Sequence, residues 1–173
     1  MIGDRWGVTD AEVARPYLCD KWLTNPTLVA WRGVTVEARG EDVWPWVTQV
    51  RLAPYSYDWI DNLGRRSPQT LLDLPPPAVG EPFISAGGKR MGTVLSVDPP
   101  HQLTGRLLGA VISYVVEPGG PSRSRLLMKI VSNLPRPLAP LLSVGDLVMA
   151  RRQLLNWKRL AEAHAVSETP RST

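Results

Sequence analysis

The pattern of hydrophobic and polar residues predicts a strand, two short helices, a group of short strands and one long helix, in that order. Residues 28–37 (LVAWRGVTVE) are rich in β-branched side chains, which favours a first strand. A helix with acids in its first turn follows, carries Pro45 early and ends near Val50. Ser56 is a suitable cap for a second helix, which Gly64 would terminate.

Short alternating or β-branched runs dominate the middle of the chain, and each is bounded by Gly, Pro, Asp or Ser. These runs are 82–85, 92–97, 102–108, 110–117 and 124–131. Because the turns between them are short, they predict an antiparallel meander. In the last run, Leu126, Met128 and Ile130 alternate with Arg125, Leu127 and Lys129, so we expect the first three on the concave face of the sheet.

A final amphipathic helix is predicted from about Ser143, where Asp146 three positions later makes a cap possible, or already from near Leu138, to about His164. Its apolar face carries Leu147, Met149, Ala150, Leu154, Trp157, Leu160 and Ala161, and its basic face carries Arg151, Arg152, Lys158 and Arg159. A helix of this kind packs on a sheet, so the fold class is α+β. We expect a helix-grip fold, in which a curved antiparallel sheet with two short helices wraps around the long C-terminal helix and encloses a hydrophobic cavity.

The same pattern divides the chain of 173 residues into three parts. Residues 1–27 are predicted to form an N-terminal arm, in which Thr9 and Glu12 have the spacing of a capping box. Residues 28–165 form a single domain, which is long enough to bury a substantial core. Residues 166–173 are expected to be a disordered tail.

Composition limits the classes of function. No apolar run approaches the roughly 20 residues of a membrane helix, so no membrane insertion is expected. Cys19 stands alone and the N-terminus lacks the apolar stretch of a secretory signal, which together favour the cytoplasm. The net charge of +4 comes from scattered basic residues, so nucleic acid is not expected as a partner.

Candidate catalytic and metal-binding motifs are lacking in the sequence. The two histidines, His101 and His164, have no ligand spacing with each other or with Cys19. No serine lies in a G-x-S-x-G elbow, and the glycine-rich stretch 84–92 has no helix after it and predicts a hairpin turn. The sequence therefore predicts no metal and no cofactor.

Aromatic residues concentrate in the segment 41–64, where Trp44, Trp46, Tyr55, Tyr57 and Trp59 fall close together. Such side chains bury large apolar areas, and Tyr and Trp also need a partner for one polar atom. We expect the three tryptophans mainly to fasten the short helices onto the sheet. The two tyrosines are expected near the mouth of the cavity.

Two stretches in this region resemble the polyketide cyclase/dehydrase and lipid-transport superfamily, also called SRPBCC or START-like. They are VTVEARGEDVWPWVTQV (34–50) and YSYDWIDNLG (55–64), with support from RSRLLMKIV and LNWKRLAEAH nearer the C-terminus. The likeness covers about residues 28–165 and points to an uncharacterised bacterial subgroup. It implies a helix-grip fold with an internal hydrophobic cavity and carries no fixed catalytic residues. Pro54, before Tyr55, departs from the glycine-rich stretch found in relatives.

These observations favour a protein that binds or carries a small hydrophobic ligand, lipid-like or polyketide-like, without catalysis. The expected ligand-binding residues are Trp46, Tyr55, Tyr57, Trp59, Tyr114, Leu126, Met128, Met149, Leu154 and Trp157. The alternative is an aromatase- or cyclase-like enzyme that uses Tyr57 and Asp58 as acid–base groups on a polyketide-type substrate. An acid at the start of a helix, however, more often pairs with the backbone or an arginine. The sequence is compatible with a homodimer and does not decide the oligomeric state.

Overall fold

The computed structural model describes residues 4–133 and 139–168, and for residues 139–147 and 168 it describes the helical backbone only. The elements of the first half are β1 (Arg5–Trp6), α1 (Asp10–Ala14), β2 (Leu28–Val36), α2 (Gly40–Thr48), α3 (Asp58–Asp61), β3 (Ile84–Ala86) and β4 (Lys89–Met91). Those of the second half are β5 (Thr93–Asp98), β6 (Gln102–Leu107), β7 (Ala110–Gly120), β8 (Arg123–Ser132) and α4 (Ala139–Glu168). Single 3₁₀ turns lie at Leu18–Lys21 and Gln49–Arg51.

The main sheet has six strands in the order β1-β2-β8-β7-β6-β5. Strands β5 to β8 form the predicted antiparallel meander, and β2 pairs antiparallel with β8, so that the first long strand closes against the last. Only β1 runs parallel to its neighbour among the described strands. The sheet with its long C-terminal helix confirms the predicted α+β class.

Two predictions about elements are wrong. The run 82–85 does not join the meander, because β3 pairs instead with β4 in a separate hairpin across the glycine turn. Ser56 does not cap α3, which begins after Tyr57 without a side-chain cap, because the Ser56 hydroxyl donates to Asp61. For helix α4, the sequence allows a start near Ser143 or near Leu138, and the helix begins at Ala139, so Ser143 lies within it.

Strand alternation separates two apolar clusters on opposite faces of the sheet. Leu126, Met128 and Ile130 of β8 pack on the concave face against Leu154 and Trp157 of α4, as the sequence predicts. Leu127 and Val131, on the opposite side of β8, belong to a second cluster on the convex face together with Tyr17 and Cys19. The sheet therefore buries both of its faces.

The convex face is covered by the segment that the sequence assigns to the arm. Thr9 and Glu12 form the predicted capping box at the start of α1. The Cys19 amide donates to Ser113 Oγ at 2.9 Å, and burial raises the pKa of the Cys19 thiol to about 11. Lys129 Nζ lies 2.7 Å from Asp20 Oδ1, which adds an ion pair between β8 and the arm.

A pH-dependent ion pair also joins the arm to the sheet. Arg125 Nε donates to Glu12 Oε1 at 2.6 Å, and this hydrogen bond lowers the pKa of Glu12 to about 2. Unfolded Glu12 would titrate near 4.5, so the unfolded chain takes up the proton first as the pH falls. The stabilisation is present above pH 4.5 and is lost as the pH falls towards 2.

We therefore expect Glu12→Gln to lower the free energy of unfolding at neutral pH and to have little effect near pH 2. Urea unfolding followed by circular dichroism, on both proteins across this pH range, measures the difference. A difference that stays constant with pH would contradict the role of the Glu12 charge.

The helices of the described residues do not include a membrane-spanning candidate, since none is both long and apolar enough. At the C-terminal end, residues 166–168 are helical, and residues 169–173 of the predicted tail lie outside the described residues.

Candidate functional site

A pocket of about 170 Å³ lies between the concave face of the sheet and α4. Its sheet wall and helix wall are formed by Ile112 and Tyr114 of β7, Met128 and Ile130 of β8, and Met149 and Ala150 of α4. Because Ile112 is opposite Ile130 and Tyr114 is opposite Met128 in the ladder, these four side chains form a continuous apolar floor.

A third wall comes from the chain between α2 and β4. Pro54, Ser56, Asp61, Ile84, Leu107 and Gln153 complete the lining. Segment 54–61 follows the 3₁₀ turn at Gln49–Arg51 and includes α3, and it supplies Pro54, Ser56 and Asp61 to this wall. Pro54, which precedes Tyr55, lies directly in the pocket wall.

Two amide side chains of α4 hold this wall in place. Gln153 Nε2 donates to the Pro54 carbonyl at 2.6 Å, while Gln153 Oε1 accepts from the Tyr114 hydroxyl at 2.8 Å. One turn later, Asn156 Nδ2 donates to the Tyr55 carbonyl at 2.7 Å. Tyr55 has a φ of 57°, a left-handed conformation that non-glycine residues rarely adopt, so these hydrogen bonds stabilise an unfavourable backbone. The wall is thus shaped by contacts from the helix.

Asp61 is the carboxylic acid among the described residues that line the pocket. Its Oδ2 accepts a hydrogen bond from the Ser56 hydroxyl, whereas Oδ1 is buried without a hydrogen-bond partner among the described residues. Burial raises the pKa of Asp61 above the usual value for aspartate, and the nearby charge of Asp58 raises it further. A carboxyl group in this state can exchange a proton at a pH closer to neutrality than an exposed aspartate can.

Asp58, the acid that the sequence singles out, has a different position. Its Oδ2 accepts from the Ser67 amide at 2.8 Å and its Oδ1 from the Ser67 hydroxyl at 2.5 Å. These bonds tie α3 to the following loop, and Asp58 does not line the pocket. The contacts with Ser67 are of the kind expected for an acid near the start of a helix that pairs with the backbone.

The predicted ligand-binding residues divide into three groups. Tyr114, Met128 and Met149 line the pocket. Trp46, Tyr55, Leu126, Leu154 and Trp157 are buried in the core beside it and are absent from its lining. Trp157 joins this core to the pocket, since its ring lies 5.2 Å from that of Tyr114 and 6.0 Å from that of Tyr55.

The two remaining residues, Tyr57 and Trp59, lie outside the pocket. Tyr57 is half-buried beneath the Arg152 guanidinium, 5.7 Å from the ring centroid. The prediction that Trp59 fastens its helix to the sheet is wrong, because Trp59 is exposed. Helix α3 is a single turn, so it cannot turn every apolar side chain of this segment towards the sheet.

No family model and no curated protein matches the sequence. Solved structures do match in fold. Protein MLL2253 from Mesorhizobium loti is 20% identical over 78% of this chain and 97% of its own, with a TM-score of 0.54. The Polyketide_cyc-like protein Cgl2372 from Corynebacterium glutamicum is 11% identical over 82% and 96%, with a TM-score of 0.50. A protein from Arthrobacter aurescens is 13% identical over 84% and 92%, with a TM-score of 0.51.

At these identities the likeness establishes the architecture. The curved sheet, the two short helices and the long C-terminal helix are arranged as in these structures, one of which is described as Polyketide_cyc-like. The chain therefore has the helix-grip fold that its resemblance to the polyketide cyclase-like superfamily predicts.

Proposed function

We propose that the protein binds a small hydrophobic ligand, lipid-like or polyketide-like, in the pocket between the sheet and α4. The observation that supports this most directly is the lining itself, which is mainly apolar and contains few polar groups. Binding sites for small molecules combine these features, because apolar burial supplies the affinity and a few polar groups orient the ligand. The Tyr114 hydroxyl, the Ser56 hydroxyl and the Asp61 carboxyl are the groups available here.

The size of the pocket restricts what it can enclose. A volume of about 170 Å³ is close to that of engineered cavities that bind benzene, at roughly 150 Å³. We therefore expect one ring, or one apolar end of a larger molecule, to occupy it. Met128 and Met149 contribute from the sheet and helix walls, and their flexible thioethers adapt to ligands of different shape.

Native mass spectrometry of the purified protein, followed by solvent extraction, tests this proposal. We expect a discrete hydrophobic molecule to co-purify, or, for ligand-free protein, binding of toluene and indole detected by saturation-transfer NMR. Protein that carries no such molecule and shows no saturation transfer to either probe would contradict the proposal.

A catalytic function is the second candidate, because Asp61 places a carboxyl group of raised pKa in the pocket lining. In an aromatase- or cyclase-like reaction, this carboxylate would accept a proton from the carbon next to a ketone and return it to the product. The terminal torsion of an aspartate is soft, so a small rotation exposes the buried oxygen to a ligand. The acid–base role considered for Asp58 then belongs to Asp61.

Proton exchange on a small ketone distinguishes the two functions. If Asp61 is an acid–base group, the protein should accelerate deuterium exchange at the methyl group of acetophenone, as followed by NMR in D₂O. Asp61→Asn should then reduce this rate about 100-fold or more while acetophenone still binds. Asp98→Asn is the control, since it removes a carboxylate from an exposed position of β5 outside the pocket and should retain most of the rate. Exchange no faster than in buffer would reject the catalytic candidate and leave ligand binding.

A further inference from the structure

Three large apolar side chains within five consecutive positions are exposed at α3 and the turn after it. The exposed fractions are 75% for Trp59, 49% for Ile60 and 75% for Leu63. Single exposed apolar residues are ordinary on protein surfaces, but a contiguous group usually marks an interaction site.

The end of α3 and the tip of the β3–β4 hairpin are held together as one surface feature. Asn62 is buried, and its Oδ1 accepts from the Gly87 amide at 3.0 Å. A Cβ atom at Gly87 would lie 2.8 Å from Leu63 Cδ1, so the hairpin approaches Leu63 as closely as glycine permits. A Cβ atom at Gly88 would likewise meet the Arg65 guanidinium.

Exposed basic residues lie in the two segments that meet here, Arg65 and Arg66 after α3 and Lys89 and Arg90 on β4. We call the whole feature the α3 lobe and define it as Trp59, Ile60, Leu63, Arg65, Arg66, Lys89 and Arg90. None of its four cations forms an ion pair within the described part of the chain. Basic residues elsewhere often do, as Arg123 does with Glu37 and Lys158 with Glu162. Asp58 and Asp61 of α3 offset part of this charge, so the lobe combines a net positive charge with exposed apolar surface.

We propose that the α3 lobe docks on the surface of a membrane that contains anionic lipids. Trp side chains favour the boundary between headgroups and acyl chains, where an apolar ring is buried and a polar edge stays hydrated. Aliphatic side chains such as Ile60 and Leu63 add to binding by shallow burial at the same depth. Each basic residue close to an anionic surface raises the affinity roughly fivefold. The chain would lie on the bilayer and would not span it.

Charge and side-chain type favour a lipid surface over a nucleic acid. Single-stranded nucleic acids are bound by several aromatic rings that stack on successive bases, whereas this lobe has one ring and two aliphatic side chains.

The α3 lobe lies beside the pocket, since α3 and β3 contribute Asp61 and Ile84 to the pocket lining. If the pocket binds a hydrophobic ligand as proposed, docking places one of its walls against the bilayer.

Vesicle co-sedimentation of the full chain tests this proposal. We expect the chain to bind vesicles made of phosphatidylcholine with about 30% phosphatidylserine and to bind little to phosphatidylcholine alone. Binding to the anionic vesicles should weaken as added salt screens the attraction. Trp59→Ala together with Leu63→Ala should reduce partitioning about tenfold. Trp22→Ala is the matched control, because Trp22 is an exposed tryptophan of the arm, and its replacement should leave partitioning unchanged.

Failure of this proposal is separable from failure of ligand binding, because probe binding to the pocket is measured without vesicles. The docking proposal is overturned if phosphatidylserine does not enhance sedimentation. It is also overturned if the double variant binds vesicles like the wild type, or if a single-stranded oligonucleotide is bound and vesicles are not. In the double variant, saturation transfer to toluene should remain, which would show that the fold and the pocket are intact.

Discussion

Replacing Trp157 by alanine should lower the free energy of unfolding by about 3–5 kcal/mol, the range for removing a large aromatic side chain from a core. Trp157 is fully buried on α4 and contacts Tyr55 and Tyr114, so the helix, the 54–61 wall and the sheet all lose packing when the ring is removed. Its indole nitrogen has no hydrogen-bond partner among the described residues, so the loss of unfolding free energy measures the loss of apolar packing. Urea unfolding monitored by circular dichroism measures the change.

Trp59→Ala is the matched control for this experiment. The same side chain is removed, but from an exposed position on α3, so the free energy of unfolding should change by no more than about 0.5 kcal/mol. Equal losses for the two variants would mean that Trp59 is packed in solution and would contradict the position found for it.

Ala150→Phe should abolish binding of toluene and indole without lowering the free energy of unfolding. Ala150 lies on α4 and lines the pocket, so a phenyl ring at this position would occupy the space that we propose for the ligand. Filling an existing cavity is neutral or stabilising, whereas forcing a ring into a packed core is not. Saturation-transfer NMR measures the loss of probe binding, and urea unfolding measures the stability.

Ala161→Phe provides the comparison on the same helix. Ala161 is fully buried in the core and does not line the pocket, so the larger side chain should cost about 1–3 kcal/mol of stability. Probe binding should persist in this variant as long as the chain folds. If Ala150→Phe destabilised the protein as much as Ala161→Phe does, the space beside Ala150 would not be open in solution.

Periodicity allowed much of the concave face to be predicted. Met128 and Leu127 are neighbours of similar hydrophobicity, yet alternation alone assigns Met128 to the face beneath α4 and Leu127 to the other. The same argument failed for short elements. A run of four residues at 82–85 specifies a strand but not its partner, and β3 pairs with β4 because a tight glycine turn brings that strand closest.

The acids of α3 show a second limit. Asp58 and Asp61 occupy the same short helix, and their local sequences contain no signal that separates their roles. Ser67 lies nine positions after Asp58, and its amide and hydroxyl groups donate hydrogen bonds to the Asp58 carboxylate when the loop between them closes. Asp61 faces the pocket side and retains a buried oxygen without a partner among the described residues. The difference between them depends on how the loop closes, which composition and spacing do not specify.

The amino-acid pattern specifies the order of the elements, the fold class and the inward faces, because burial of apolar side chains selects one side of each strand and helix. It does not specify which inward side chains border open space. Of the predicted residues, Tyr114, Met128 and Met149 line the pocket in the folded chain. The wall formed by residues 54–61 is held beside them by hydrogen bonds from Gln153 and Asn156, which join residues 99 and 101 positions apart in the chain. A pocket is the space that such distant contacts leave unfilled, and local periodicity carries no information about it.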